Sequence, residues 1–92
     1  PSLLYVQNRL KEAIKEEHVQ LAVLFIKLAE RLYDLRHAAG YTMLEEIKYM
    51  AYETLTVDVK LAKQYLGFEI AEALAAAAEQ ALKIYHRKTI NQ

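Results

Sequence analysis

At 92 residues the chain is long enough to bury one core without metal or disulfide help, and short enough to form a single domain, residues 1–92. Lys plus Arg and Asp plus Glu number 12 each, and the balance is local: six basic and five acidic side chains in residues 1–40, six and seven in residues 41–92. No field therefore recruits nucleic acid or an anionic membrane, and neither is expected as a partner. Cysteine is absent, which removes disulfide, thiolate and cysteine–zinc chemistry. With 54% hydrophobic residues, two glycines and one proline at position 1, nothing inside the chain strongly breaks a helix, and the fold class is all-α.

Ser2 is placed to cap a first helix. From Leu3 the apolar positions Leu10, Ile14, Leu21, Leu24, Leu28, Leu32 and Leu35 keep three- and four-residue spacing, interrupted where Glu17 falls in the seam. Within this helix Leu21 to Ile26 are six consecutive apolar residues. That stretch calls for neighbours on several sides, yet at six residues between Gln20 and Lys27 it falls far short of the ~20 needed to span a bilayer. The helix is expected over about residues 3–38, with a turn at 39–42 in which Gly40 takes the left-handed conformation and Tyr41 packs back.

Thr42 and Glu45 have capping-box spacing, and Glu46 adds charge at the positive end of a helix that begins at Met43. The segment Thr54 to Val59, TLTVDV, lowers helix propensity. It leaves two readings: a break at about 54–58 with a cap at Thr56 or Asp58, or a very long helix running through Met43, Ile47, Met50, Thr54, Val57, Leu61, Tyr65 and Phe68. Gly67 is read as a close-packing position inside a helix, since Phe68 and Glu69 supply no capping side chain. The last helix, to about residue 89, carries Ala71, Ala75, Ala78 and Ala81 as a shallow face for a close neighbour. Lys83, His86, Arg87 and Lys88 complement the dipole at its end.

An unbroken helix from Leu3 to Ala38 would be ~54 Å long, against a radius of gyration of about 12 Å for a compact chain of this size. Either the helix breaks near Glu16, Glu17 and His18, or the molecule is a rod completed by a second copy. With no glycine or proline to mark a break, the expectation is an antiparallel helical bundle of two or three long helices completed by dimerisation.

The chemistry-bearing residues are few. Asp34 and His37, with Glu30 one turn earlier, approach the three-residue ligand spacing of carboxylate-bridged metal sites; Glu72, Glu79 and His86 share a face of the last helix, but at ~10.5 Å intervals. The alternative for all of them is solvated charge. His18, Met43 and Met50 would be the axial ligands of a haem, or surface and core residues of the ordinary kind. Ser2 is the one serine, no nucleophile stands at helical spacing from a histidine, and Pro1 is a secondary amine without a recognisable pocket. No metal, cofactor or catalytic residue is assigned.

Arg31 and His37, separated by five residues, resemble the arginine and histidine of HEPN-type helical ribonucleases. The resemblance covers those two residues, with Leu32 where that family carries a polar residue. It implies a pair that meets substrate phosphate across a dimer. Seven tyrosines, at 5, 33, 41, 49, 52, 65 and 85, are suited either to an interface or to the rim of a core; Tyr49 and Tyr52 with Met50 form a candidate sticky face.

The expected function is non-catalytic: a helical bundle mediating self-assembly or protein–protein interaction, with a metal- or ligand-binding bundle or a HEPN-like ribonuclease as alternatives. Few glycines and prolines, clear caps and no Cys or Trp also fit an engineered or designed chain, whereas TLTVDV is not an idealised helix sequence. No secretory leader pattern is read at the N-terminus, and a cytoplasmic or recombinant setting is the expectation.

Overall fold

The computed structural model describes residues 2–41 and 43–91. It is an all-α bundle of three long helices, drawn out to 69 × 22 × 16 Å with a radius of gyration of 18.4 Å. Helix α1 (Leu3–Arg36) is unbroken over 34 residues, and a short 3-10 turn at Ala38–Gly40 follows it. Helix α2 (Leu44–Glu53), a π-helical segment at Thr54–Asp58 and helix α3 (Val59–Tyr65) form one continuous rod, and α4 (Phe68–Ile90) completes the bundle. The Lys88 ammonium donates to the Ala39 and Tyr41 carbonyls at 2.7 and 3.2 Å. The end of α4 thus lies against the α1–α2 turn, so that α4 runs parallel to α1 and antiparallel to the α2–α3 rod.

The caps are partly those expected. Ser2 accepts a hydrogen bond from the Tyr5 amide at 3.2 Å, satisfying one of the free donors of the first turn. At α2 the N-cap position is Met43, in extended conformation and without a side-chain cap. Thr42, the expected capping residue, lies outside the described residues, as does Pro1.

Both glycine expectations are corrected. Gly40 closes the 3-10 turn without a left-handed backbone, whereas among the described residues Gly67 is the one with positive φ, at 127°. Gly67 is no close-packing site either: a Cβ built there would meet nothing within 4 Å. Its dihedrals, φ 127° and ψ 166°, lie in a region essentially closed to other residues, and that conformation ends α3. The amides of Leu66 and Gly67 both bond to the Ala62 carbonyl, at 2.9 and 2.8 Å. A helix break is thus set by backbone freedom without any capping side chain.

At 54–58 the helix neither breaks nor runs on unchanged. It widens, with the Val59 amide bonding back to Thr54, five residues earlier. One extra residue enters the turn, as in other π-bulges. The Thr54 hydroxyl, fully buried, donates to the Met50 carbonyl at 2.7 Å, and Thr56 does the same to Tyr52 at 2.8 Å on the exposed side. Such back-bonding gives the hydroxyls a partner within the helix and favours its local distortion.

Two apolar clusters make the core. One gathers Leu35, Ala38, Ile47, Ala51, Ala78 and Ala81; the other gathers Leu28, Val59, Ala62, Ala71 and Leu74. The alanine face of α4 turns inward: Ala71, Ala78 and Ala81 are fully buried and Ala75 is half-buried. Every residue from Ser2 to Gln20, by contrast, is exposed. The first half of α1 is an arm of ~28 Å that stands clear of the bundle.

Candidate association interface

The arm is not a polar spacer. Leu3, Leu4, Tyr5 and Val6 crowd its tip, and Leu10 and Ile14, 58% and 54% exposed, continue the apolar seam along it. The all-round apolar stretch lies where the arm leaves the bundle. There Leu21 and Leu24 are half-buried, while Val23, Phe25 and Ile26 remain about half exposed. One side of that stretch is covered, and the other sides face solvent. A run of exposed apolar side chains along one helix is the feature expected of an interaction surface.

Between the two apolar clusters sits a polar layer that periodicity alone does not announce. Arg31 occupies a seam position between Leu28 and Leu35, and its guanidinium reaches across to the rod. It meets Glu53 at 2.6 Å, Asp58 at 3.3 Å, the Thr54 hydroxyl at 3.3 Å and the Met50 carbonyl at 3.2 Å. Tyr49 donates to the other Glu53 oxygen at 2.5 Å. Hydrogen bonds from Tyr49 and then Arg31 hold the Glu53 carboxyl below its ordinary range. Burial pushes Asp58 above its own, with Arg31 opposing and Glu53 adding to the rise. The cluster is closed on itself: among the described residues no buried side-chain polar atom lacks a partner. A sequence signal for it did exist, because a cation at a seam position requires buried acceptors, and Glu53, Thr54 and Asp58 lie within about one turn of one another on the rod.

The other candidates are dispersed. His37 is exposed at the end of α1, its Nδ1 2.7 Å from the Tyr33 carbonyl and its ring stacked on Tyr33 at 4.0 Å. Arg31, six residues earlier, is engaged inside the bundle, so the two residues that resemble the ribonuclease pair have different surroundings. Asp34 is half-buried and Glu30 exposed; burial and then Asp34 push the Tyr41 hydroxyl upward. Glu72, Glu79 and His86 are exposed along α4, as is His18 on the arm. Among the described residues no three His, Asp or Glu side chains gather as a metal ion would require. Met43 is exposed, and Met50 packs against the cluster around Ile47. The proposed sticky face therefore divides: Tyr49 and Tyr52 point outward while Met50 faces the core.

Tyr41 and Tyr85 are the half-buried tyrosines. Tyr85 packs at the rim of the core with the Lys48 ammonium 5.8 Å from its ring centroid. A groove of about 400 Å³ runs between α1 and α4 over Leu35, Ala73, Ala77 and Ile84, with Arg36 and Arg87 at its edge. No helix is long and apolar enough to cross a membrane among the described residues. Neither a family model, nor a curated protein, nor a solved structure matches the chain.

Proposed function

We propose that this chain is an association module: a non-catalytic helical bundle that uses the projecting half of α1 for self-assembly or for binding another protein. The observation that carries the reading is the arm, whose apolar seam lies exposed at Leu3, Leu10 and Ile14. The arm continues α1 beyond the bundle, so its apolar face lacks the packing from which most helical stability in proteins comes. A partner on that face supplies the missing packing. The engaged state of Arg31 supports the non-catalytic part, since its guanidinium already contacts four acceptors and is not poised toward an open cleft. An engineered or designed origin is favoured by the sparse glycine and proline, and the π-helical segment at Thr54–Asp58 weighs against it.

Light scattering and circular dichroism over a dilution series test the proposal. The expected result is a species heavier than one chain that loses mass and helicity together on dilution, and a Leu10→Lys, Ile14→Lys variant that stays at the mass of one chain. A wild-type chain of single mass and undiminished helicity at every concentration, with no protein partner retained by the arm, would overturn it.

A further inference from the structure

We infer that the arm of α1 is covered by the same arm of a second copy of this chain, antiparallel to it, in the register that sets Leu10 against Ile14 and Gln7 against Glu17. This rests on the association reading above and names its partner. The first support is continuity with the packing inside the bundle. There the seam of α1 runs Leu21, Leu24, Leu28, Arg31, Leu35, with alternating spacings of three and four, and all five are buried or half-buried, as are Leu32 and Asp34 beside them. Carried back toward the N-terminus with the same alternation, the seam passes through Glu17, Ile14, Leu10, Gln7 and Leu3, all exposed. One heptad therefore governs both halves, and a heptad seam is satisfied by another helix laid along it.

The distribution of polarity along the arm selects the direction. Its tip (Leu3, Leu4, Val6) and its root (Leu21 to Ile26) are apolar, and its charged side chains, basic and acidic interspersed, all lie between, from Arg9 to Glu17. An antiparallel pair brings the tip of one copy onto the root of the other, with Leu3 opposite Leu21. In the same register the two polar seam residues meet each other, and the Gln7 amide can donate to the Glu17 carboxylate.

A parallel pair would instead place Glu17 against Glu17 in the seam, a like-charge contact in a partly desolvated place. It would also set both bundles side by side at one end. The 69 Å length of the molecule lets antiparallel arms overlap with the two bundles at opposite ends. The contact is isologous and closes at two copies.

The absence of native cysteine makes the register directly measurable. Gln7→Cys and Glu17→Cys variants, each altered at an exposed position, are oxidised separately and as an equimolar mixture. Products are resolved without reductant, identified by peptide mass, and accompanied by the light-scattering mass of the wild type. A disulfide between position 7 of one chain and 17 of the other is expected in the mixture, at about tenfold the yield of either variant alone, because facing thiols react at a high effective concentration. Disulfides within each separate variant, or a dimeric mass without the mixed product, would overturn the antiparallel register and leave the association reading standing. A wild-type mass of one chain at every concentration would overturn the inference and the self-assembly reading together.

Discussion

The two halves of α1 share a seam and differ in what surrounds it. Leu28 and Leu35, in the bundle, are 4% and 1% exposed, whereas Leu10 and Ile14, in the arm, are more than half exposed. The same side-chain chemistry is a core in one half and an unfilled surface in the other. Periodicity therefore specifies which face of a helix is to be covered, and the rest of the chain specifies how much of that face it can reach. Helix α4, at 23 residues, is shorter than α1 by about the length of half the arm.

The largest expected contrast follows from that comparison. Leu35→Ala removes packing from the cluster around Ile47 and is expected to cost about 3 kcal/mol in chemical denaturation. Leu10→Ala is expected to change the stability of the single chain by less than about 0.5 kcal/mol while weakening association. Equal losses at the two positions, measured below the association concentration, would mean that the arm is packed within one chain.

Next comes the polar layer. Arg31→Met leaves Glu53 and Asp58 without their cation, and the expected loss is about 2 kcal/mol. That is less than for a fully buried pair, because the layer keeps some contact with solvent. A stabilised Arg31→Met variant would show that the layer serves specificity of packing rather than stability.

A smaller effect is expected at Gly67. Gly67→Ala has space for its methyl group but is strained by φ 127°, and a cost of about 1–2 kcal/mol follows. Gly40→Ala, with ordinary backbone and equal space, should be near neutral. A thermal melt that ranks the two in the opposite order would place the chain reversal elsewhere.

The subtlest test sets Glu53 against Asp58. Glu53 is held below the ordinary value of 4.5, so its contribution is fully present above that value and is lost as pH falls through its folded pKa. Asp58 is raised above 3.8. Its contribution is present below that value and is lost as pH rises through its folded pKa. Urea midpoints followed from about pH 7 to about pH 3 should therefore fall less steeply for Glu53→Gln than for the wild type, and more steeply for Asp58→Asn. The same slope in all three would mean that the carboxylates do not differ in the folded state.

Much of the fold was legible from local signals. The Ser2 cap, the continuous helix of α1 and the alanine face of α4 each rest on contacts within one helix or on its bare geometry. Gly67 is not legible as a turn, because no capping side chain advertises it, only a backbone conformation that glycine alone adopts readily. TLTVD is legible neither as a break nor as regular helix, because the π-turn is neither. Its widened turn brings Thr54 and Asp58 to the charge on Arg31, 23 residues or more earlier in the chain. The candidate interface was half legible: the seam through Leu3, Leu10 and Ile14 was evident, and its exposure was not.

What the sequence by itself determined is the helical class, the heptad face of α1 and a composition without cysteine and with balanced charge. Helix formation and amphipathicity depend on neighbours three and four residues away. Only the tertiary structure decided that Arg31 sits inside a closed polar layer, that Gly67 reverses the chain, and that the first half of α1 leaves the bundle. Those outcomes depend on which distant groups meet in space, and on where the shorter helices end against the longest one.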